Sequence, residues 1–252
     1  MHNSMSYRAI ILAAGVGDRL GAPWSAAPKA LLKFGDRTLL ARHLGILEDA
    51  GVDEIVIGVG YRANLIAAEL DAIGARSKVR IVVNSRYREG SVVTVWSLRE
   101  EFTSGRPVLL MDADVLYDAR MIRRLCETRH PNCLLYDADV EDSEEPVKIC
   151  LRGGEIVDFG KTVTSEHDRH GESVGFFRFS SEAASHLAGI VDGYVAAGRS
   201  GEMYEEAIRD LLRAMPPGTF GIEDVTGIPW IEIDFPDDVA RAKTEILPRL
   251  AD

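Results

Sequence analysis

A strand that runs into a glycine-rich turn constrains this chain more than any other feature of its sequence. The apolar residues 9–12 predict a buried strand, which small residues then interrupt. Small residues let the backbone turn sharply and approach a ligand closely, and amides exposed in such a turn can bind phosphate oxygens. Arg19 and Lys29 follow the turn, and their charges can neutralise those oxygens. The pattern therefore predicts a nucleoside triphosphate site in which Arg19 and Lys29 are the catalytic cations. The turn residues expected to bind the nucleotide are Leu12, Ala13, Ala14, Gly15 and Gly17.

Two common phosphate-binding motifs do not account for this turn. A P-loop requires Gly-Lys-Ser/Thr at a fixed spacing, and this chain lacks it there. The dinucleotide-binding fingerprint would place a third glycine at position 20, where the residue is Leu20. An NAD-dependent oxidoreductase is therefore a remote alternative.

Composition and charge favour a small-molecule enzyme of the cytoplasm. The chain has 252 residues, enough for one large α/β domain, and 46% of them are hydrophobic. Its net charge of −11 argues against nonspecific nucleic-acid binding, so an anionic substrate needs local cations or a metal. No apolar run reaches the roughly 20 residues that span a bilayer, and residues 1–5 do not resemble a secretion signal. The cysteines, Cys126, Cys133 and Cys150, lack metal-ligand spacing, which fits a reducing compartment and packing in or near the core. A homo-oligomer is compatible with the sequence, which does not determine the oligomeric state.

The first half of the chain alternates strand and helix patterns, as a parallel sheet covered by helices requires. The predicted strands are residues 8–12, 54–59, 79–83 and 107–111, and the predicted helices are residues 39–50, 62–73 and 92–102. In the first helix Leu40, Leu44 and Leu47 recur at helical spacing. Because ligands bind beyond the carboxyl ends of parallel strands, we expect the turn at Gly15 and the end of the strand at Met111 to share one edge of the sheet.

Shorter strands predominate in the second half. The predicted strands are residues 132–136, 145–151, 155–160, 173–179 and 230–233, with a hairpin turn at 152–154, and the predicted helices are residues 181–197, 203–214 and 236–247. The polar segments 143–145 and 164–171 are expected to be loops or lids. We predict a single Rossmann-like α/β domain over residues 1–252, with a mostly parallel central sheet. Residues 1–130 would bind the nucleotide, and residues 131–252 would form a smaller β-rich part that binds the acceptor substrate and ends in a helix.

Carboxylates follow two of the predicted strands. Asp112 and Asp114 come directly after the strand at 107–111, and alternation along an extended chain aims both side chains the same way. Carboxylates at such an edge suit Mg²⁺, which binds oxygen ligands and substrate phosphates. Asp234 likewise ends the strand at 230–233, whereas Asp237 and Asp238 are explained as charges favourable at the start of the last helix.

These motifs together resemble the sugar-phosphate nucleotidyltransferase superfamily. Its signature is Leu-x-Ala-Gly-x-Gly-x-Arg, here residues 12–19, followed by Pro28-Lys-Ala-Leu31. Across most of its length the chain is similar to the bacterial phosphocholine cytidylyltransferases and their 2-aminoethylphosphonate-using relatives. The further matching segments are Asn84-Ser-Arg-Tyr87, Trp96-Ser-Leu98, Asp112-Ala-Asp114 and Glu232-Ile-Asp234. Most sugar-type members carry glycine at the position of Asp112, so Asp-x-Asp is typical of the cytidylyltransferase branch.

The resemblance implies roles for further residues. It makes Asp114 and Asp234 the pair that holds Mg²⁺, and it makes Lys161 a contact of the acceptor phosphate. Gly90 and Ser91, where relatives often have asparagines, would help to read the pyrimidine base. With these, the residues added to the nucleotide site are Gly90, Ser91 and Asp112, and those expected at the acceptor are Lys148, Lys161 and Glu172. Lys148 is equally explained as a surface cation. Aromatic side chains that could face a cationic acceptor, or instead pack in the core, are Tyr136, Phe159, Phe176, Tyr204 and Trp230.

The expected activity is a Mg²⁺-dependent cytidylyltransferase that uses CTP. A phosphate or phosphonate oxygen of the acceptor would attack the α-phosphorus and expel pyrophosphate. The sequence does not decide between phosphocholine, 2-aminoethylphosphonate, another phosphonate, and a sugar or inositol phosphate. The alternatives are a sugar-1-phosphate nucleotidyltransferase that uses UTP, dTTP or GTP and, from another class, a catalytically silent nucleotide-sensing protein on the same fold.

Overall fold

The computed structural model describes residues 7–140 and 146–251, in which strands and helices alternate. The strands are β1 (Arg8–Ala13), β2 (Lys33–Phe34), β3 (Arg37–Thr38), β4 (Glu54–Val59), β5 (Val79–Val83), β6 (Val108–Asp112), β7 (Val115–Tyr117), β8 (Asn132–Asp137), β9 (Lys148–Arg152), β10 (Glu155–Gly160), β11 (Arg169–Phe179), β12 (Phe220–Asp224) and β13 (Trp230–Glu232). The helices are α1 (Leu39–Asp49), α2 (Ala63–Ala72), α3 (Val92–Ser97), α4 (Arg99–Phe102), α5 (Arg120–Glu127), α6 (Ser181–Ala196), α7 (Tyr204–Ala214) and α8 (Pro236–Arg241). None of the helices in these ranges is long and apolar enough to cross a membrane.

A central sheet of nine strands, counted over the described residues, positions everything else. Its main path runs β10-β9-β11-β6-β1-β4-β5, and β8 and β12 join it through β11. Strands β1, β4, β5 and β6 are parallel, whereas β11 is antiparallel to β6, β8 and β9. This architecture confirms the predicted α/β fold class with a parallel centre.

The two faces of the sheet are covered by different helices. Along β1, Ile11 packs on the face that α1 covers through Leu40, Leu44 and Leu47, while Ile10 packs on the opposite face with α3, α6 and α7. Two helices begin where a hydroxyl side chain caps the first turn. Thr38 Oγ1 accepts a hydrogen bond from the Ala41 amide at α1, and Ser180 Oγ accepts one from the Ala183 amide at α6.

Several elements differ from their predicted bounds. The predicted helix at 92–102 is divided at Leu98 into α3 and α4, and the last helix becomes a π-helical turn at Ala242–Ile246. The predicted lid at 164–171 is partly strand, because β11 begins at Arg169, and Asp158 Oδ2 accepts hydrogen bonds from the amides of Thr164 and Ser165. The predicted loop at 143–145 and the first residue of the strand at 145–151 lie outside the described residues.

The cysteines are packed as predicted. Cys133 and Cys150 are buried, Cys126 is half-buried, and all three are free thiols. Burial raises the pKa of the Cys126 and Cys150 thiols to about 11, so neither is a reactive thiolate near neutral pH.

Candidate active site

Parallel pairing brings the glycine turn and the first carboxylates to one edge of the sheet. Leu12, near the end of β1, lies beside Asp112, the last residue of β6. The Ala113 amide continues this pairing by donating to the Leu12 carbonyl at 3.2 Å. The turn after β1 and the segment Asp112-Ala-Asp114 therefore emerge side by side, as the sequence predicted.

A second, antiparallel pairing brings Asp234 to the same place. Strands β7 and β13 pair with Glu232 opposite Val115, and the Ile233 amide donates to the Asp114 carbonyl at 3.0 Å. Because β7 begins directly after Asp114, this short ribbon fixes the separation of carboxylates that are distant in sequence.

Lys29 lies between the two aspartates. Its Nζ is 3.0 Å from Asp114 Oδ2 and 2.5 Å from Asp234 Oδ1, and an Arg19 guanidinium nitrogen is 2.7 Å from Asp234 Oδ2. Burial alone would lower the pKa of Lys29, but the two carboxylates outweigh that effect and raise the pKa above its ordinary value. Gly17 adopts φ 71° and lies against the stem of Lys29, where an added Cβ would be 3.1 Å from Lys29 Cγ. The turn and the lysine are thus built to fit each other.

Further carboxylates crowd this point. Oxygens of Asp114, Glu232 and Asp234 all lie within 4.8 Å of one another. Glu232 is exposed at the surface of the cleft, yet its pKa is raised to about 8. The larger cause is the loss of solvent around its carboxylate deep in the cleft, and the second is repulsion from Asp114 and Asp234. Burial, followed by the same kind of repulsion, also raises the pKa of Asp112, which accepts a 2.6 Å hydrogen bond from the Tyr204 hydroxyl. The site holds more negative charge than its own cations balance.

The carboxylates stand where two compartments of one cleft meet. The first, of about 410 Å³, lies beside the glycine turn, and the second, of about 320 Å³, lies toward β13 and α8. The residues that line both compartments are Asp112, Met203, Tyr204, Glu205 and Glu232. Asp114 lines the first compartment, and Asp234 lines the second.

Most of the residues predicted for the site line this cleft. In the first compartment these are Leu12, Ala14, Gly15, Gly17, Ser91, Asp112 and Asp114. In the second they are Arg19, Asp112, Lys161, Glu172 and Asp234. Ala13 is buried at the end of β1, Gly90 packs against residues 200–202, and Lys148 lies in β9 opposite Glu172 of β11. These three and Lys29, which lies behind the carboxylates that it contacts, are the four predicted site residues outside both linings.

The aromatic candidates divide between cleft and core. Tyr204 and Trp230 line the second compartment, and the Trp230 indole donates to Asp137 Oδ2 at 2.7 Å. Tyr136, Phe159 and Phe176 are buried in the core. The alternative explanation of aromatic strand residues as core is therefore correct for these three.

Sequence reasoning missed several residues that the fold adds to the cleft. Glu232 could have been found, because strand alternation places residues 232 and 234 on the same side of the chain. Glu205 could not, since a glutamate in the first turn of a helix is ordinarily a solvated charge that favours the helix dipole. In the structure, Glu205 Oε2 is buried with no hydrogen-bond partner among the described residues, and burial raises its pKa to about 7.

Comparison with known proteins identifies the family. The model of the MobA-like NTP transferase domain matches residues 9–174. The chain belongs to this family. Its relatives also confirm the predicted resemblance to the cytidylyltransferase branch of the nucleotidyltransferases.

Three curated relatives match nearly the whole chain. A bifunctional IPC transferase and DIPP synthase of Rubrobacter xylanophilus is 30% identical over 95% of this chain and 52% of that protein. A CMP-5'-(3-aminopropyl)phosphonate synthase of Streptomyces rubellomurinus is 25% identical over 98% of this chain and 40% of that protein. A choline-phosphate cytidylyltransferase of Streptococcus pneumoniae is 25% identical over 95% of this chain and 98% of that protein. The chain thus spans about half or less of the length of the first two relatives.

Solved structures share the fold. The CTP:phosphocholine cytidylyltransferase of Streptococcus pneumoniae superposes with a TM-score of 0.75, at 21% identity, over 94% of this chain and 98% of its own. The inositol-1-phosphate CTP transferase of T. maritima superposes with a TM-score of 0.76, also at 21% identity, over 98% of this chain and 99% of its own.

Proposed function

We propose that this protein is a Mg²⁺-dependent cytidylyltransferase that transfers CMP from CTP to a small phosphate or phosphonate acceptor with a cationic end. The observation that carries the proposal is the position of the carboxylate cluster. Asp114 lines the compartment beside the glycine turn, Asp234 lines the other compartment, and Glu232 lines both. A cluster at this boundary lies where the phosphates of two substrates would meet.

A divalent cation fits the donor set. Three carboxylate oxygens converge within 4.8 Å, and oxygen ligands are those that Mg²⁺ prefers. The raised pKa of Glu232, to about 8, reflects its depth in the cleft and the repulsion of neighbouring carboxylates, which a cation would relieve. Asp114 and Asp234 would hold the ion, with Glu232 beside them. When bound, Mg²⁺ supplies positive charge to the triphosphate and to the oxygens that carry charge in the transition state.

The chain's own residues bind and orient the triphosphate. Amides of the turn at residues 15–18, which lines the first compartment (the nucleotide compartment from here on), would donate hydrogen bonds to the phosphate oxygens. Lys29 and Arg19 reach the carboxylate cluster from the same segment and would neutralise the phosphates that arrive there. An acceptor oxygen attacks the α-phosphorus, the new P–O bond forms as the bond to the β-phosphate bridging oxygen breaks, and pyrophosphate leaves. Because the acceptor oxygen is already anionic, no general base is needed.

The second compartment suits an acceptor with opposite charges at its two ends. Lys161 lies on its wall and would bind the phosphate or phosphonate. Carboxylates of Asp137, Glu172 and Glu205 line the same space, together with the ring of Trp230. Carboxylates and an aromatic face are the groups that bind an ammonium. The names of two relatives contain compounds of this kind: one is a CMP-5'-(3-aminopropyl)phosphonate synthase, and the other is a choline-phosphate cytidylyltransferase.

A polyol phosphate is the second candidate acceptor. Carboxylates accept hydrogen bonds from hydroxyls as readily as they pair with ammonium groups, and the second compartment is rich in them. A neighbour with the same fold is, by name, an inositol-1-phosphate CTP transferase. The two acceptor classes differ in charge, so they can be separated by experiment.

The test is Mg²⁺-dependent release of pyrophosphate from each nucleoside triphosphate against a panel of acceptors. The panel comprises phosphocholine, 2-aminoethylphosphonate, inositol 1-phosphate and glucose 1-phosphate. We expect release with CTP and one of the cationic acceptors. Release with CTP and inositol 1-phosphate alone would select the polyol class, and release only with UTP, dTTP or GTP and glucose 1-phosphate would overturn the proposal.

A further inference from the structure

The wall between the two compartments is the start of α7. Tyr204 and Glu205, its first two residues, line both compartments, and the Tyr204 hydroxyl donates to Asp112 at 2.6 Å. Whatever fixes this end of α7 therefore fixes a surface that touches both substrates of the proposed reaction.

No side chain of the adjacent segment caps this helix. Met203 occupies the N-cap position and provides no side-chain hydrogen bond. The Tyr204 amide, one of the donors that a helix start leaves unsatisfied, donates instead to Ser91 Oγ at 2.8 Å, across 113 positions of sequence. Ser91 also lines the nucleotide compartment.

Ser91 belongs to a longer contact between two segments, residues 86–92 and 200–204, which we call the seam. The Gly90 amide donates to the Ser200 carbonyl at 2.7 Å, and the Val92 amide donates to the Glu202 carbonyl at 3.2 Å. An Arg86 guanidinium nitrogen donates to Ser200 Oγ at 2.9 Å. The backbones approach so closely that a Cβ on Gly90 would lie 2.1 Å from the Glu202 carbonyl oxygen, so only glycine fits. The close packing therefore explains the glycine at position 90, in addition to its predicted contact with the pyrimidine base.

Three further residues of the first segment lie beside the proposed nucleotide site. Tyr87, Arg88 and Glu89 line the nucleotide compartment together with Ser91. The seam therefore joins a loop that contacts one substrate to a helix end that contacts both.

We propose that Ser91 is a positioning residue that couples the nucleotide loop to the acceptor wall through its hydrogen bond to the start of α7. This inference rests on the proposed function for the identity of the substrates. When a bound nucleotide orders residues 86–92, the hydrogen bond between Ser91 and the Tyr204 amide holds Tyr204 and Glu205 in the position that binds the acceptor. Since coupling between two binding sites is reciprocal, a bound acceptor raises the affinity for the nucleotide by the same factor.

Hydrogen–deuterium exchange of the full chain, with and without CTP and Mg²⁺, tests the coupling without an acceptor. In the wild type we expect CTP to slow exchange at the Val92 and Tyr204 amides. In Ser91→Ala the slowing at Tyr204 should fall by about fivefold or more, the lower range of known coupling factors, and Ser91→Thr should restore it. Ser200→Ala removes the contacts of this hydroxyl with Arg86 and Glu89, although Ser200 itself lines neither compartment. It should weaken the effect in part, which keeps the test valid if Ser91→Ala folds poorly. Ser185→Ala, which removes a hydroxyl that donates to the Ser181 carbonyl within α6, is the matched control.

A kinetic measurement separates positioning from simple structural damage. With the acceptor that supports turnover, the wild-type acceptor KM should fall about fivefold or more between low and saturating CTP; Ser91→Ala should lose most of this fall, and Ser91→Thr should restore it. A dependence of the acceptor KM on CTP that is the same in the wild type and Ser91→Ala, or protection of Tyr204 that does not depend on Ser91, would overturn the inference while leaving the cytidylyltransferase proposal intact. If UTP, dTTP or GTP binds in place of CTP, the proposed nucleotide is wrong, and the same exchange measurement with that nucleotide still decides the coupling. If none of the nucleotides slows exchange at the Tyr204 amide, the coupling is refuted.

Discussion

At the scale of single residues, charge balance governs the cleft. Asp114, Glu232 and Asp234 converge on one point, and Lys29 is the cation held closest to two of them. The lysine offsets part of the repulsion, yet the depth of the cleft and the neighbouring carboxylates still raise the pKa of Glu232 to about 8. The residue identities thus prepare the cleft for added positive charge before any substrate arrives.

Replacing Lys29 removes the cation between the two aspartates. We expect Lys29→Met to lower kcat by about 10²–10³-fold, the effect typical of losing one charge-stabilising donor in an active site. Steady-state kinetics at saturating CTP measure the change. Lys33→Met, a neighbouring lysine exposed on β2, is the control and should keep wild-type kcat. Wild-type turnover in Lys29→Met would remove the lysine from the proposed machinery.

The carboxylates should respond to the metal in the absence of catalysis. Because the proposed ion relieves repulsion, Mg²⁺ should raise the melting temperature of the wild type. Asp114→Asn and Asp234→Asn should lose most of that increase, since neither amide supplies the missing charge, and their turnover should be nearly abolished. Asp237→Asn changes an exposed carboxylate in the first turn of α8 and should behave as the wild type. Equal Mg²⁺ stabilisation in all four proteins would contradict the proposed metal ligands.

The residue scale also shows where sequence reasoning works. Asp114 and Asp234 follow strands, and Lys29 follows the glycine turn, so local patterns placed each of them at the cleft. The contact between Ser91 and Tyr204 spans 113 positions, and no local pattern signals which hydroxyl will meet which helix. The oligomeric state and the acceptor depend on contacts outside the chain, and they remain predictions.

At the scale of elements, one buried carboxylate ties α7 to β10 and the loop after it. Asp158 receives two hydrogen bonds from Arg209 of α7, at 2.8 and 3.0 Å, and two from the amides of Thr164 and Ser165. Its side chain is fully covered, although it does not lie deep in the protein. Lys161 lies in the loop that this aspartate holds, so the network also sets the position of a proposed acceptor ligand.

Asp158 should stabilise the fold in a pH-dependent way. Burial alone would raise the pKa of Asp158, but hydrogen bonds from Arg209 and from the loop amides hold it well below its usual value. Its contribution is therefore complete above the unfolded pKa of about 4 and is lost as pH falls further, toward the folded pKa. We expect Asp158→Asn to lower the free energy of unfolding by about 3–5 kcal/mol near pH 7, as for a broken buried ion pair.

Urea unfolding at pH 7 and at pH 3 measures the difference between this variant and the wild type. The difference should shrink at the lower pH, where Asp158 is largely protonated in the unfolded chain while the folded protein still holds it ionised. Asp71→Asn, an exposed carboxylate on α2, is the control and should change stability little at either pH. A difference that is the same at both values would show that Asp158 contributes no charge-dependent stability.

Element prediction succeeded for long, regular segments and failed for short ones. The strands at β1, β4 and β5 matched because apolar runs of five or six residues carry a clear pattern. Strand β7 has three residues and owes its existence to pairing with β13, a tertiary contact that three residues cannot encode. Helix α5 was missed although Met121, Ile122 and Leu125 form a buried helical stripe that periodicity could have revealed.

At the scale of the whole molecule, β11 joins the two halves of the chain. It pairs with β8 on one side, and with β9 and then β6 along the other. A strand at the right position was predicted, but its central place was not, because hydrophobic runs do not specify which neighbours a strand will pair with. The position of β11 is what brings Glu172 and the acceptor compartment next to the edge of the nucleotide-binding strands.

Global stability should fall in mild acid because of one buried histidine. His43 is fully buried. Its Nε2 donates to the Ala113 carbonyl, which can only accept, so in the neutral ring Nδ1 carries no proton and accepts from the Tyr117 hydroxyl. Burial lowers its pKa to about 4, whereas the unfolded chain binds the proton near pH 6.5. The unfolded state therefore binds more protons between these values, and stability should drop by roughly 3 kcal/mol as pH falls from 7 to 4.

Urea unfolding across this pH range tests the histidine. His43→Gln removes the titrating group, so its free energy of unfolding should vary less with pH than that of the wild type, even if it is lower overall. His186→Gln, an exposed histidine on α6, should keep the wild-type pH profile. A His43→Gln profile parallel to the wild type would contradict the assigned cause.

The proposed reaction joins CMP to the phosphate or phosphonate of the acceptor, and ³¹P NMR of the complete reaction observes that bond itself. The sample contains the protein, CTP, Mg²⁺ and 2-aminoethylphosphonate or phosphocholine. We expect the CTP signals to disappear as pyrophosphate appears in equal amount, while the acceptor phosphorus shifts to that of an anhydride coupled to a second phosphorus. Asp234→Asn should leave the spectrum unchanged over the same time. Conversion of CTP to free CMP with an unaltered acceptor signal, or no reaction with any acceptor of the panel, would contradict it.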